Sequence, residues 1–214
     1  MLSHFHHSHH EAAGDRPAET KGLLINWAAR YDLLVAALTL GHERTLRTMT
    51  INLAQLRPGE SVLDVGCGTG SLTMAARWRV GAQARVCGID PSAQMVARAQ
   101  RKAARQGLLI DYQVGVIERL PFADHTFDVA LSSLMMHHLP DDLKRQGLAE
   151  IARVLKPGGR LLVLDVSRPS GPWQSDIRNQ PMLMRAAGFI SAEAGKTHIP
   201  GLGFALGRTA EQAG

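Results

Sequence analysis

Residues 62–70 read Val-Leu-Asp-Val-Gly-Cys-Gly-Thr-Gly, a short apolar run followed by a glycine-rich segment. Its apolar start predicts a buried strand, and the residues that follow it predict a helix. Between the two lie three alternate glycines, Gly66, Gly68 and Gly70. A tight turn needs only one glycine, whereas several let the backbone approach a ligand closely and leave helix N–H groups open to it. The stretch therefore predicts a ligand-binding turn between a strand and a helix.

A carboxylate stands at the end of the next predicted strand. Asp90 lies 20 residues beyond Gly70, in the sequence Gly-Ile-Asp-Pro-Ser at 88–92. At that place a carboxylate can accept hydrogen bonds from both hydroxyls of a ribose. Asp90 could instead cap the following helix, a role that Ser92 could equally fill. The glycine turn and the carboxylate together indicate an adenosine-type ligand, although either feature alone is weak.

The details of the glycine turn favour one adenosine ligand over the others. A nicotinamide or flavin site needs a third glycine where Ser71 stands, and it cradles a diphosphate. Asp64 lies two positions before the first glycine, where its charge would oppose a diphosphate but suit the ammonium and sulfonium groups of S-adenosylmethionine (SAM). A phosphate-loop nucleotidase is excluded because no Gly-Lys-[Ser/Thr] follows.

From residue 61 onward, strand and helix patterns alternate along the chain. This alternation predicts a doubly wound, Rossmann-like α/β fold with a seven-stranded, mostly parallel sheet and its ligand at the carboxyl ends of the strands. The predicted strands are 61–65, 84–89, 109–114, 127–132 and 160–166, with two weaker runs at 189–194 and 203–208. The predicted helices are 72–79, 92–105 and 141–155, with a short one near Pro181. Gly147 interrupts the third helix and suggests close packing there.

The N-terminal part of the chain has a different character. Residues 1–20 hold five of the ten histidines and no apolar periodicity, which predicts a disordered, His-rich arm. Residues 21–57 carry two apolar stripes separated at Gly41 and predict an N-terminal helical lid. Residues 58–210 form the predicted SAM-binding domain. The histidines beyond the arm are too widely spread to predict a metal site, although the arm itself could bind Ni²⁺, Cu²⁺ or Zn²⁺ loosely.

Composition narrows the class of protein further. The chain carries 24 Lys and Arg against 19 Asp and Glu, but the basic residues are scattered, so we expect no nucleic-acid partner. No apolar run reaches the roughly 18 residues of a membrane-spanning helix, and no export signal is visible. Cys67 and Cys87 form no disulfide framework and are expected to be reduced. We predict a cytoplasmic protein, whose oligomeric state the sequence leaves open.

Several ordered segments resemble one enzyme family. Residues 62–70 look like motif I of the class I SAM-dependent methyltransferases, and are most similar to the ubiquinone/menaquinone-biosynthesis group and related small-molecule enzymes. Segments 88–92, 120–129 and 153–160 resemble the motifs that follow in that family. Residues 27–32 are similar to the "Tyr-Asp" lid of the group. The resemblance covers roughly residues 27–208 and implies that SAM is the cofactor and a small molecule the methyl acceptor.

The resemblance also implies roles for individual residues. Asp64, Gly66 and Gly68 would face the methionine part of SAM, and Asp90 would face the ribose. The adenine side would be flanked by Pro91, Ser92 and Met95. The chain departs from the family at Val116, where relatives usually have an Asp that accepts from the adenine amino group. Adenine would then rest on apolar side chains and on the backbone of Ile117. The full predicted SAM-binding set is Asp64, Gly66, Cys67, Gly68, Gly70, Asp90, Pro91, Met95, Val116, Ile117 and Ser132.

Methyl transfer from a sulfonium depends mainly on how the protein positions the methyl donor and the acceptor. Such positioning can lower the activation free energy by about 7–11 kcal/mol. A general base is needed only when the acceptor is a poor nucleophile. Tyr31 of the lid and His137 after the fourth strand are the catalytic candidates, and helix packing or capping is the alternative for each. Quinol-type carbon, phenol oxygen, amine and thiol acceptors all remain open. So do two other functions: a different SAM-using reaction on this fold, and a non-catalytic SAM-binding or metal-responsive regulatory module.

Overall fold

The computed structural model describes residues 43–167 and 176–212. The predicted arm, residues 21–42 of the predicted lid, and Tyr31 lie outside them. The remaining part of the predicted lid begins with a helix, α1, that spans Glu43–Leu53. No helix in the described ranges is long and apolar enough to cross a membrane.

One seven-stranded sheet organises the domain, in the order β3-β2-β1-β4-β5-β7-β6. Strands β1 to β5 are parallel, while β7 runs antiparallel to both β5 and β6. The predicted doubly wound, mostly parallel sheet is therefore confirmed. The strands are β1 Val62–Val65, β2 Val86–Asp90, β3 Asp111–Val114, β4 Phe127–Ser133, β5 Leu155–Val166, β6 Ser191–Lys196 and β7 Leu202–Arg208.

Helices cover both faces of the sheet. Successive strand residues point to opposite faces, and both sets of apolar side chains have to be buried. Val62 belongs to a buried cluster with residues of α1 and α2, whereas Leu63 belongs to a second cluster with residues of α4 and α5. Both strand residues are fully buried, as expected for a parallel sheet that is covered twice. The remaining helices are α2 Ser71–Val80, α3 Ala93–Arg105, α4 Asp141–Val154 and α5 Gln180–Ala186, with 3₁₀ turns at Met136–His138 and Ile177–Asn179.

The fifth strand begins earlier than the sequence predicts. We expected it to start at residue 160, after the Pro-Gly-Gly turn, and to follow a helix ending at 155. Instead β5 begins at Leu155, which pairs with Phe127 of β4. The register shifts between Phe127 and Val129, and this irregularity accommodates the turn residues within the strand.

A buried arginine fastens the end of α1 to the sheet. The Arg160 side chain donates to the carbonyl oxygens of Ala54 (2.7 Å) and Gln55 (2.8 Å). It also forms two parallel hydrogen bonds with the Glu60 carboxylate, at 2.9 and 2.8 Å. These bonds satisfy carbonyl groups beyond the helix end and fix the chain where it enters β1.

Gly147 packs closely, as the sequence suggests. A methyl group at this position would lie 2.6 Å from both Cγ1 and Cδ1 of Ile117. We expect Gly147→Ala to lower the free energy of unfolding by about 1–2 kcal/mol, because overpacking outweighs the roughly 1 kcal/mol gained in helix propensity. Urea unfolding measures the change. Ala149→Gly, at an exposed position of the same helix, measures the effect of helix propensity alone on the free energy of unfolding. A stabilised Gly147→Ala protein would show that Ile117 moves aside freely.

Candidate active site

The glycine turn lies at the carboxyl end of β1 and is held against β2. The backbone N–H groups of Gly66 and Cys67 both donate to the carbonyl oxygen of Ile89, at 2.9 and 3.0 Å. Gly66, Gly68 and Gly70 have φ angles of +75°, +53° and +77°, in the left-handed region that favours glycine. The three glycines therefore let the chain turn tightly between β1 and α2.

The third glycine is also required by its neighbours. A Cβ at Gly70 would overlap the Tyr112 hydroxyl oxygen and lie 2.8 Å from the Cβ of Ala99. The Tyr112 hydroxyl donates to the Gly70 carbonyl oxygen at 3.1 Å. Gly70 is the N-cap of α2, and no side chain caps this helix end. The N–H groups of the first two residues of α2 are thus available to a ligand at the turn, whereas the Thr73 N–H donates to Asp64.

Asp90 joins the glycine turn to the start of α3. Its Oδ2 accepts from the Gly68 N–H and its Oδ1 from the Ser92 N–H, both at 2.9 Å. Burial raises the pKa of the Asp90 carboxyl, and these two bonds oppose that rise. The cap of α3 is Ser92, whose Oγ accepts from the Met95 N–H. Asp90 is therefore not the cap, and its carboxylate keeps lone pairs for ribose hydroxyls.

Asp64 lies beneath the turn, with only 1% of its surface exposed. The Thr73 hydroxyl donates to its Oδ2 at 2.6 Å. Burial, with a smaller contribution from the charge of Asp90, raises the pKa of Asp64 to about 7. A cation placed nearby would favour the ionised carboxylate. Its predicted role toward the methionine part of SAM stays a prediction.

The residues predicted on the adenine side follow β2 and β3. Pro91 is half-buried between β2 and α3, and Met95 is buried in the first turn of α3. After β3, the half-buried Val116 forms a turn in which its carbonyl oxygen accepts from the Arg119 N–H at 3.3 Å. Ile117 is buried against α4 at Gly147. Because β2 and β3 are parallel neighbours, these residues share one edge of the sheet.

Two further predicted residues are fully or nearly buried. Burial raises the pKa of the Cys67 thiol well above its ordinary value, so the thiol is neutral. Ser132, at the end of β4, is fully buried, and its hydroxyl has no hydrogen-bond partner in the described part of the chain. An unpartnered buried hydroxyl costs free energy unless a ligand or water completes it. It fits a polar group of a ligand bound at the carboxyl ends of β1 and β4.

His137 is paired with a carboxylate that sequence reasoning missed. Its Nδ1 lies 2.6 Å from Oδ1 of Asp165, and its backbone N–H donates to Oδ2 of the same residue at 2.9 Å. Asp165 is buried near the end of β5. The missed signal was that Asp165, like Asp64 and Asp90, is an acid at the end of an apolar strand. The ring of His138 lies 3.8 Å from that of His137, and burial lowers the pKa of His138.

The residues present fit SAM in three ways. Asp90 offers a carboxylate for the ribose, the open N-terminus of α2 offers N–H groups for the methionine carboxylate, and Ser132 offers an unpartnered hydroxyl. Among residues 43–167 and 176–212, no three His, Cys, Asp or Glu side chains are grouped as a metal site requires.

Comparisons with known proteins agree with this arrangement. The family profile described as Methyltransferase domain matches residues 62–159. The chain is 34% identical over 179 residues to the ubiquinone/menaquinone biosynthesis C-methyltransferase UbiE of Hydrogenovibrio crunogenus, covering 83% of this chain and 66% of that one. It is 38% identical over 154 residues to the demethylmenaquinone methyltransferase of Lactiplantibacillus plantarum, covering 71% and 64%.

The chain thus spans a little under two thirds of the length of these curated relatives. Among solved structures, a SAM-dependent methyltransferase from Aquifex aeolicus superposes with a TM-score of 0.69 at 23% identity, covering 86% of this chain and 98% of the other. That likeness concerns the fold. The matched domain and the sequence relatives show that this chain belongs to the class I SAM-dependent methyltransferases, whose cofactor is SAM.

Proposed function

We propose that this protein transfers the methyl group of SAM to a small-molecule acceptor and releases S-adenosylhomocysteine. The observation that carries the proposal is the connection of Asp90 to Gly68 and Ser92, which holds a half-buried carboxylate beside an uncapped helix N-terminus. This pairing suits the ribose and the methionine carboxylate of one ligand. When bound, SAM supplies an electrophilic methyl group on a sulfonium.

The residues of the site would mainly bind and orient. The Asp90 carboxylate would accept from the ribose, and the first N–H groups of α2 would hold the methionine carboxylate. The Asp64 carboxylate would balance the positive charges of the ligand from below the turn. Ile117 would offer an apolar surface to the adenine, and Val116 leaves the adenine amino group to backbone or solvent. Holding donor and acceptor in line supplies most of the rate in such a reaction.

The names of the curated relatives indicate which methyl acceptors to test first. The two curated relatives are named for ubiquinone and menaquinone biosynthesis and for demethylmenaquinone methylation. A quinol ring carbon is therefore the first acceptor that we propose, followed by phenol oxygen, amine and thiol acceptors. A cytoplasmic location and the lack of a nucleic-acid partner belong to the same proposal.

Replacement of Asp90 tests the cofactor site. We expect Asp90→Ala to weaken SAM binding by about 1–3 kcal/mol, roughly 5- to 150-fold, because ribose hydroxyls lose their acceptor in a closed site. Isothermal titration calorimetry measures the affinity. The control is Asp111→Ala, an exposed carboxylate at the opposite end of the neighbouring strand. Unchanged affinity in a folded Asp90→Ala protein would contradict the ribose assignment.

Measuring product formation distinguishes a methyltransferase from a protein that only binds SAM. A screen of quinol, phenol, amine and thiol acceptors, read out as S-adenosylhomocysteine, is expected to give product with at least one class. Tight SAM binding without product from any acceptor would favour a non-catalytic SAM-binding module instead.

A further inference from the structure

We propose that His137, oriented by Asp165, accepts the proton of a hydroxyarene acceptor during methyl transfer. The inference rests on the proposed function and names the acceptor class: a phenol or quinol whose O–H proton must leave. The hydroxyl proton passes to Nε2 of His137 as the oxygen or the conjugated ring carbon forms its bond to the methyl group. The C–S bond of the sulfonium breaks, and its electron pair stays on sulfur. For attack by carbon, the ring C–H proton leaves and the oxygen regains a proton, so one proton is released overall.

Asp165 holds both the backbone and the ring of His137. Its Oδ2 accepts from the His137 backbone N–H at 2.9 Å, and its Oδ1 lies 2.6 Å from the ring Nδ1. Oδ1 also accepts from the Val166 N–H at 2.7 Å. Since the carboxylate only accepts, Nδ1 of the neutral ring carries the proton. The lone pair of the imidazole is therefore on Nε2, and the ring cannot rotate without losing this pair of contacts.

The exposure of the two partners shows which side of the ring is open. The Asp165 side chain is 2% exposed, whereas the His137 side chain is 25% exposed. No hydrogen-bond partner of His137 Nε2 lies among the residues that the structure describes. A carboxylate buried behind a partly open imidazole is the arrangement that holds a general base in one tautomer and stabilises its protonated form.

The turn that carries His137 contacts the glycine turn of the cofactor site. Met135 lies against Gly66, where an added Cβ would be 2.5 Å from the Met135 Cγ. Leu134 has a φ of +55°, which costs a non-glycine residue about 1–2 kcal/mol, and its N–H donates to Leu164 at 2.8 Å. The fold thus maintains a strained backbone that brings His137 to the carboxyl ends of β4 and β5, beside the predicted methionine end of SAM.

His138 offers a matched control on the same turn. Its ring packs against that of His137, with 3.8 Å between the ring centroids, and the described residues include no carboxylate hydrogen-bonded to it. The sequence alone cannot distinguish the two histidines. The contact with Asp165 assigns the chemistry to His137 and packing to His138.

The test compares His137→Gln, His138→Gln and Asp165→Asn with the wild type. The probes are 2-prenyl-1,4-naphthohydroquinone, kept reduced, and catechol, each assayed by S-adenosylhomocysteine release. We expect His137→Gln to lower kcat by about 10²–10⁴ with SAM affinity unchanged, and His138→Gln to lower it less than tenfold. Asp165→Asn is expected to lower kcat by a similar factor to His137→Gln, because the amide has a single acceptor oxygen for the three N–H donors around Asp165 and no longer holds the ring in one tautomer. Equal losses in the two histidine variants, or loss of SAM binding with His137→Gln, would overturn the proposal.

A second readout does not depend on turnover. Nitrogen-15 NMR of the histidine rings is expected to show His137 as the Nδ1–H tautomer in the wild type and a larger share of the Nε2–H tautomer in Asp165→Asn. An Nε2–H tautomer in the wild type would overturn the proposal whether or not the protein turns over. A protein that methylates a thiol or an amine but neither hydroxyarene would overturn the acceptor class and leave the proposed methyl transfer standing. If no acceptor reacts, the proposed function fails, and the tautomer alone decides whether His137 is held as described.

Discussion

Asp64→Asn is expected to stabilise the folded protein at pH 8 and to weaken its binding of SAM. Asp64 is buried, accepts hydrogen bonds from the hydroxyl and the backbone N–H of Thr73, and has no cation paired with it in the described residues. An amide oxygen can accept from Thr73 without a charge to desolvate. The wild-type carboxylate therefore costs folding free energy at high pH, which we attribute to its role toward a cationic ligand.

The pH dependence of stability shows in which direction Asp64→Asn changes the free energy of unfolding. Burial raises the pKa of Asp64 from 3.8 to about 7 in the folded state. Between these values the unfolded chain has released a proton that the folded chain still holds, so stability falls as pH rises from about 4 to 7 and stays low above 7. The full cost is up to about 4 kcal/mol, since one pKa unit corresponds to about 1.4 kcal/mol. Asp64→Asn is expected to recover at least about 1 kcal/mol of this at pH 8 and little near pH 4.

Urea unfolding at several pH values measures the stability change, with Asp142→Asn as the control at an exposed carboxylate. SAM affinity is expected to fall by about tenfold or more, because a charge interaction across several ångströms contributes about 1–3 kcal/mol at an effective dielectric constant near 20. In the wild type at pH 6.5, SAM binding should release a proton, which calorimetry in buffers of different ionisation enthalpy detects. A variant that binds SAM normally would show that Asp64 does not balance the charge of the ligand.

The sheet and the glycine turn could be predicted because their causes are local. Buried parallel strands read as apolar runs, and the left-handed backbone at Gly66, Gly68 and Gly70 demands glycine in the sequence itself. The Asp90 carboxylate could be predicted because it follows the second strand at the distance that a ribose site requires. The hydrogen bonds of Asp90 to Gly68 and Ser92 agree with that expectation without testing it.

The partner of His137 depends on tertiary structure and could not be predicted. Asp165 is 28 residues away in sequence and meets His137 only because β4 and β5 are parallel neighbours, with Ser133 paired to Leu164. The early start of β5 has a similar origin, since the pairing of Leu155 with Phe127 overrides the turn signal at 157–159. Local patterns predict which segments form strands, whereas the register between strands determines which side chains meet.

Gly70→Ala is expected to abolish SAM binding and to lower the free energy of unfolding by about 2–5 kcal/mol. Gly70 has a φ of +77°, a conformation that costs alanine about 1–2 kcal/mol. The added methyl group would also overlap the Tyr112 hydroxyl and lie 2.8 Å from Ala99, and such overpacking adds about 1–3 kcal/mol. Because Tyr112 and Ala99 lie on β3 and α3, relief of the clash has to move the turn away from the carboxyl edge of the sheet.

Gly81→Ala separates the two contributions. Gly81 has a φ of +89°, but a Cβ there would meet nothing within 4 Å. This variant should therefore lose only the backbone contribution of about 1–2 kcal/mol and bind SAM as the wild type does. Chemical denaturation gives the stability of both variants, and calorimetric titration gives their affinity, for which we expect at least a 100-fold loss with Gly70→Ala. Equal destabilisation of the two proteins, with SAM binding retained in both, would mean that the turn tolerates a side chain at Gly70 and that its third glycine serves the backbone alone.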